Sequence, residues 1–406
     1  MSLKNAIGGV GLLAGTSIGG AILALPVTTA HMGFTQTIAI YCICFLFMTL
    51  GALYLLEAKL WVGEGANLIS ITEKILGPAG KIVVWIIYLV LLYTLTAAYL
   101  TGESAWILQG FKLISIEPPH YAGPVIATLL TMFVIFLGTM VTDWVNRLLM
   151  IGLIGSFISL LFVTAPQIST DLLFQEKFAF DLRPYPLIIT AFGSAIVIPT
   201  ICDYLHGNLK QLYPVVLIGS LIPLLVYIFW EFTITGIIPT EGAQGLLYMQ
   251  KHGQPILDIP ARLQNLVNQN WIKPVFSYFS IFALTTSLLG VSLSLFDFLS
   301  DGLNIKKNLK GKMILAAISF IPPLIFSLFY PQGFSLILSF AGIFVSLLLG
   351  IIPALMVWRG KYVLGEQRVL PFISSRWVIC ITIAFFLFVI GVECFNQWEF
   401  FTKLRT

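Results

Sequence analysis

A succession of apolar stretches of membrane-crossing length, joined by short polar segments, constrains this chain more than any other feature. A helix needs about 20 apolar residues to cross the hydrocarbon layer. Stretches that qualify lie at 6–30, 34–58, 81–108, 121–141, 147–166, 185–205, 212–237, 271–298, 313–329, 333–357 and 376–398, which predicts eleven spans. The third is long enough to tilt, and Pro322-Pro323 leaves the ends of the ninth open. In lipid every backbone polar group must be satisfied internally, so runs of this length imply helices. Composition excludes the alternative. With 58% hydrophobic and 10% charged residues over 406 positions, the chain has more apolar surface than one soluble core can hide. The fold class is an all-α polytopic membrane protein.

The net charge of +4 gives no case for nucleic acid, because the basic residues sit in separate joints between spans. Their distribution gives orientation instead, since cytoplasmic loops are enriched in Lys and Arg. An inside N-terminus puts Lys112, Lys177, Arg183, Lys251, Arg262, Lys273, Lys403 and Arg405 outside and the other fourteen of 22, Arg368 among them, inside. The short loop bearing Lys306, Lys307, Lys310 and Lys312 carries the bias most sharply. Eleven spans then put the C-terminus outside. Lys4 precedes an apolar run too long for a signal sequence, so the run reads as a retained first span. Cys42, Cys44, Cys202, Cys380 and Cys394 lack ligand spacing and read as packing residues. The outer segment 238–270 offers short helices at Thr240–Met249 and Pro260–Gln269, as a lid would. The inner segment 59–80 is expected to be partly helical.

Within the first span the knot Gly15-Thr16-Ser17-Ile18-Gly19-Gly20 weakens the helix near its middle. Unpaired backbone there is tolerable only where protein or a cavity lines it, and broken helices of this kind hold solute in secondary transporters. Small residues also serve plain helix packing, so the reading needs a partner. Five spans later Phe192-Gly193-Ser194-Ala195 falls mid-span, with Pro199 removing a backbone donor beyond it. That is where a five-plus-five inverted repeat requires a second break. The repeats would be 6–166 and 185–357, with 376–398 as an additional span. A half-helix N-terminus favours a carboxylate, and carbonyls at the opposing end accept an ammonium group. Neither break carries a charged residue, which suits a zwitterionic amino acid.

Other polar residues in the spans are fewer. Tyr99 could offer its hydroxyl to a substrate or simply pack on a neighbour. Glu103 follows it at i+4 on the same helix face. An intramembrane carboxylate is a functional candidate, and Glu103 could carry a proton or sit at a wet outer mouth. Glu231, among aromatics in the seventh span, is a second proton-coupling candidate. Glu57 is expected to anchor its span end or pair with Lys59, while Glu393 and Asp297 lie near span ends, where solvation is cheap. In the eighth span Thr285 is a substrate-contact candidate. Thr286 and Ser287, with Ser292 and Ser294 further on, could coordinate Na⁺ or bond across helices. His31 and His206 read as exposed. No nucleotide, zinc or serine-nucleophile motif is present, so neither an enzyme nor a cofactor or metal centre is expected.

Ala14 to Pro26, with Leu95-Thr96-Ala97-Ala98-Tyr99, Ser287-Leu288-Leu289-Gly290-Val291, and Phe320 to Leu324 through Phe329 to Phe334, resembles the hydroxy and aromatic amino acid permease family of bacteria. The likeness covers about residues 3 to 395 and lies in the tyrosine-specific branch. It implies the leucine-transporter fold with the first and sixth helices broken, a cell inner membrane location and proton symport of aromatic amino acids. It maps the breaks onto residues 14–20 and about 192–197 and puts Tyr99 at the third-span tyrosine. Relatives carry a Phe-Gly-Phe-His-like run where this chain has Phe192-Gly193-Ser194-Ala195, a departure that bears on specificity. Glu103 and Glu231 are also atypical.

The resulting expectation is alternating-access import of L-tyrosine with H⁺ by a monomer in the bilayer. Gly15, Thr16, Ser17, Gly19, Gly20, Tyr99, Phe192, Gly193, Ser194 and Thr285 are the substrate-binding candidates. The alternatives are a Na⁺-coupled or small neutral amino-acid permease of the same fold, or a membrane solute sensor that does not transport.

Overall fold

The computed structural model describes residues 3–174, 181–243, 245–252, 255–267, 269–367, 369 and 373–403, and every regular element among them is helical. Lys177, Arg368 and Arg405, used above for orientation, lie outside the described residues. In order, the helices are α1 (Leu3–Ser17), α2 (Leu25–Thr28), α3 (Phe34–Val62), α4 (Leu68–Leu76), α5 (Pro78–Leu113), α6 (Ala122–Phe136), α7 (Thr139–Thr164), α8 (Thr170–Leu173) and α9 (Tyr185–Ala191). They continue as α10 (Ile198–Tyr204), α11 (Leu209–Thr235), α12 (Leu246–His252), α13 (Pro255–Val267), α14 (Ile272–Gly302), α15 (Leu309–Phe329), α16 (Phe334–Val345), α17 (Ile352–Arg359) and α18 (Arg376–Lys403).

Among the described residues nine helices are long and apolar enough to cross a membrane. The eleven-span reading adds α6, which is 15 residues long, and the interrupted first segment from Leu3 to Thr28. The inner segment 59–80 contains α4, begun by Asn67, whose side chain accepts from the Ser70 N–H at 3.0 Å. The long outer loop contains α12 and α13. α12 packs on α2, and α13 on α14 and α5.

Packing between spans repeats when spans 1–5 are exchanged for spans 6–10. α14 lies on α7 just as α5 lies on α16, and α1 on α11 just as α9 and α10 lie on α3. Close approach explains two glycines elsewhere between spans. A Cβ on Gly51 of α3 would collide with the Leu349 carbonyl, and one on Gly342 with the backbone of Pro186. The prolines of α15 are also accounted for. Pro322 supplies no N–H for the Ile318 carbonyl, and the Tyr93 hydroxyl of α5 donates to that oxygen at 2.9 Å.

The structure decides the open pairing of Glu57 and differs from the sequence reading at Glu393 and His31. Lys59 is buried but pairs with Asp203 of α10 at 2.7 Å rather than with Glu57. Glu57 instead accepts from the Val369 N–H and the Ser374 hydroxyl, because it faces α18 and the segment before it. Glu393 is fully buried and needs more than a wet span end: Ser339, Gln397 and Asn396 all donate to it. His31 is half-buried rather than exposed.

Candidate functional site

Both predicted interruptions exist. In the first span α1 ends at Ser17, Gly19 is extended (φ −143°, ψ −159°), and a 3-10 turn over Gly20–Leu23 leads into α2. In the sixth, α9 ends at Ala191, Gly193 bends the chain (φ −70°, ψ 37°), and a 3-10 turn over Ser194–Val197 leads into α10. The two ends meet. The Tyr227 hydroxyl of α11 lies 2.7 Å from the Ser17 carbonyl oxygen and 2.8 Å from that of Ala191. A phenol has one proton to donate, so two half-helix C-termini share it.

Beside this junction lies a cavity of about 820 Å³. Gly15, Thr16, Ser17, Tyr99, Gly193, Thr286 and Ser287 line it, so seven of the predicted residues come together. It extends to the end of the molecule that carries Gly8 of α1, Tyr204 of α10 and the Asp143–Arg147 ion pair of α7. The opposite end is closed. There Trp230 packs against Phe157, Phe276 and Phe279, with ring centroids 6.2, 5.4 and 5.0 Å away. Volume decides what can enter, since several hundred cubic ångströms is the scale of a small-molecule site.

The remaining candidates take other positions. Gly20 donates its N–H to the Ser287 hydroxyl at 3.0 Å, and its Cα faces Tyr99 and Leu284 so closely that a Cβ would sit 3.0 Å from each. Gly19 approaches Ser287 closer still, which is why no side chain fits. Ser287 thus donates to the Ala283 carbonyl at 2.8 Å and accepts from the Gly20 amide, while Thr286 donates to the carbonyls of Phe282 and Ala283. The Thr16 hydroxyl is turned back onto the Leu12 carbonyl at 2.7 Å. Thr285 is outside the cavity and donates to Glu103 at 3.1 Å.

Phe192 and Ser194 also avoid the large cavity. With Ser17, Phe45, Met48, Thr49, Ala52, Ala195 and Ser220 they enclose a side pocket of about 10 Å³. Phe192 packs edge-on against Tyr227, with centroids 5.1 Å apart.

Glu231 lies toward the closed end with both carboxylate oxygens engaged. Thr29, which follows α2, and Tyr41 of α3 each donate to it at 2.8 Å. Because Tyr227 and Glu231 are one helical turn apart, α11 grips both halves of the first span. Glu103 has only the Thr285 bond on one oxygen, and its second is buried without a partner among the described residues. At the closed-end surface burial lowers the His31 pKa, and the Arg183 charge adds to that. Asp181 is pushed up by burial but held below the ordinary carboxylate range by its bonds with Arg183, at 2.7 to 3.0 Å.

Tyr227, Tyr41, Thr29, Thr49 and Ser220 were not singled out in the sequence. For Tyr227 there is one signal, its i−4 spacing from Glu231; Tyr41, Thr49 and Ser220 are single hydroxyls in apolar runs, and Thr29 follows Thr28 at a span end.

The family model for the tryptophan/tyrosine permease family matches residues 2–393. Among curated relatives, tyrosine-specific transport system 1 of Haemophilus influenzae is 31% identical over 365 residues, covering 88% of this chain and 89% of that protein. The tryptophan-specific transport protein of the same organism is 27% identical over 86% of each chain. Among solved structures, a mutant of the Eremococcus coleocola manganese transporter superposes with a TM-score of 0.62 over 96% of this chain and 85% of that one, at 13% identity. A likeness at that identity speaks for the fold alone, the leucine-transporter fold. Homologues and family are transport proteins rather than enzymes, and the family is one of aromatic amino acid permeases. The family match leaves almost nothing of the sequence outside it, and the chain therefore belongs to the tryptophan/tyrosine permease family.

Proposed function

We propose that this protein imports L-tyrosine with protons by alternating access in the bacterial inner membrane. The observation that carries this reading is the convergence of two broken helices on one cavity that is open at one end and sealed at the other. With the N-terminus cytoplasmic and the C-terminus periplasmic, the open end faces the cytoplasm, and this conformation is the one that releases substrate. Spans 1–5 (6–166) and 6–10 (185–357) act as the two repeats, with 376–398 outside them, and one chain suffices for transport.

Gly15, Thr16, Ser17, Gly19, Gly20, Tyr99 and Gly193 form the substrate site, with Phe192 and Ser194 behind it. Glu103 and Glu231 are the proton carriers. Glu103 has an oxygen available for a proton beside its Thr285 bond, while Glu231 must give up a bond from Thr29 or Tyr41 to change state. Thr285 positions Glu103. Tyrosine as substrate is supported by the tyrosine transport systems among the relatives.

A second reading, a permease for small neutral amino acids, has one specific support: glutamine transporter 2 of Aliivibrio fischeri, 28% identical over 85% of this chain. Proteoliposomes decide between these readings. Tyrosine uptake should follow an imposed pH gradient without Na⁺, and tryptophan or phenylalanine should compete better than glutamine or serine. Uptake driven only by a Na⁺ gradient, involving Thr286 and Ser287, would replace the proton reading. Preferential glutamine or serine uptake would replace the aromatic one, and binding without flux would make the protein a sensor.

A further inference from the structure

The side pocket at the two breaks is small and rich in hydroxyl-bearing residues. Hydroxyls reach it from four different spans: Ser17 of α1, Thr49 of α3, Ser194 after the sixth-span break and Ser220 of α11. All four residues are at least nine-tenths buried. The Ser17 and Thr49 hydroxyls have no hydrogen-bond partner among the described residues. Threonines elsewhere in the spans turn back onto their own helix, as Thr96, Thr101 and Thr131 do at 2.8 Å; Thr49 does not. A buried hydroxyl left unbonded is unfavourable, so the arrangement favours a polar occupant. At about 10 Å³ the pocket admits one water-sized group.

The rest of the wall is apolar: Phe45, Met48, Ala52, Phe192 and Ala195. The pocket adjoins the large cavity. Ser17 lines both spaces, and Gly193, set between Phe192 and Ser194 of the pocket, lines the large one. A polar group of one heavy atom, carried on an aromatic ring that stands in the large cavity, matches this geometry. Ammonium and carboxylate groups match it less well: each would bring a full charge into a pocket that holds no charged residue, and a carboxylate has two oxygens for one water-sized space.

We propose that this pocket receives the phenol hydroxyl of the substrate and so selects tyrosine over phenylalanine. The inference rests on the aromatic-transport reading and goes beyond it by giving Thr49 and Ser220 a role in specificity. Ser194 then touches the para substituent from the sixth-span break. Discrimination by a buried hydrogen-bonding site is strong because the unfilled site leaves its own polar groups unpaired.

The test compares initial uptake of tyrosine and phenylalanine, as Vmax/KM, in proteoliposomes containing the wild type, Thr49→Val or Ser220→Ala. Valine keeps the shape of threonine, and size-exclusion profiles verify that each variant is folded. The tyrosine-to-phenylalanine ratio should fall about tenfold in Thr49→Val, the scale of one lost hydrogen bond, and less in Ser220→Ala. The change should come through tyrosine KM, with phenylalanine uptake moving less than twofold. A ratio unchanged in both folded variants overturns the proposal and assigns the hydroxyls to a bound water. Equal transport of both amino acids by the wild type also overturns it while leaving aromatic transport intact. Absence of uptake of both amino acids would remove the aromatic reading as well.

Discussion

The two interruptions are built on different principles. At the first, the backbone is extended at Gly19 and the Gly20 amide finds its acceptor in another span, on the Ser287 hydroxyl. At the second, the amides are satisfied locally: Gly193 N–H reaches the Thr190 carbonyl at 3.1 Å and Ser194 N–H the Phe192 carbonyl at 2.8 Å. The first break therefore depends on α14 staying in place, whereas the second is largely self-contained. Their glycines differ for the same reason. Gly19 has an ordinary extended φ, so backbone freedom does not require glycine there; the approach of Ser287 does. A Cβ on Gly193 would be crowded by the Thr190 oxygen, 3.0 Å away, and would meet Val345 at ordinary contact distance.

Substitution at the first break should break this contrast most severely. Gly19→Leu drives a side chain into Ser287, and misplacing the site should reduce tyrosine uptake by about a hundredfold or more. Membrane insertion, measured by immunoblot, should persist. Normal uptake by this variant would mean that the first interruption is not part of the site.

Tyr227→Phe touches both breaks at once by removing the one donor that the Ser17 and Ala191 carbonyls share. Its tyrosine KM should rise about tenfold, with thermal stability in detergent little changed. A loss of Vmax alone would indicate that the hydroxyl governs movement of the half-helices rather than their resting geometry.

Ser287→Ala should sharpen the comparison by affecting the first break only. Loss of the acceptor for the Gly20 N–H should raise KM about threefold to tenfold, and Ser287→Thr should restore most of it. Gly193→Ala should have the smallest effect, less than about twofold on uptake, since its φ of −70° suits alanine and only the Thr190 carbonyl must yield. A larger effect from Gly193→Ala than from Ser287→Ala would reverse the assignment of which break is self-contained.

Much of this architecture is legible in the sequence because lipid imposes a strict rule: long apolar runs become helices, and a polar knot within one must be sheltered. Gly15 to Gly20 and Phe192 to Ala195 could be located on that basis. Their local satisfaction could not, since the acceptor for Gly20 lies 267 positions away. Thr285 illustrates the same limit. Its composition matches Thr286 and Ser287, yet its rotation about α14 turns it to Glu103 and away from the cavity. Thr49 and Ser220 had no pattern to mark them, because a single hydroxyl in an apolar helix is compatible with back-bonding to its own turn.

The sequence by itself determined the spans, the two breaks and the suitability of an uncharged, backbone-rich site for a zwitterion. These follow from hydropathy, helix geometry and the cost of unpaired peptide groups, all of which act locally. Only the tertiary structure decided that both C-terminal carbonyls meet at Tyr227, that Ser194 faces a side pocket rather than the main cavity, and that one end is sealed by Trp230 and its neighbours. Those outcomes depend on which faces of distant helices are packed together, and span-by-span hydropathy carries no information about that choice.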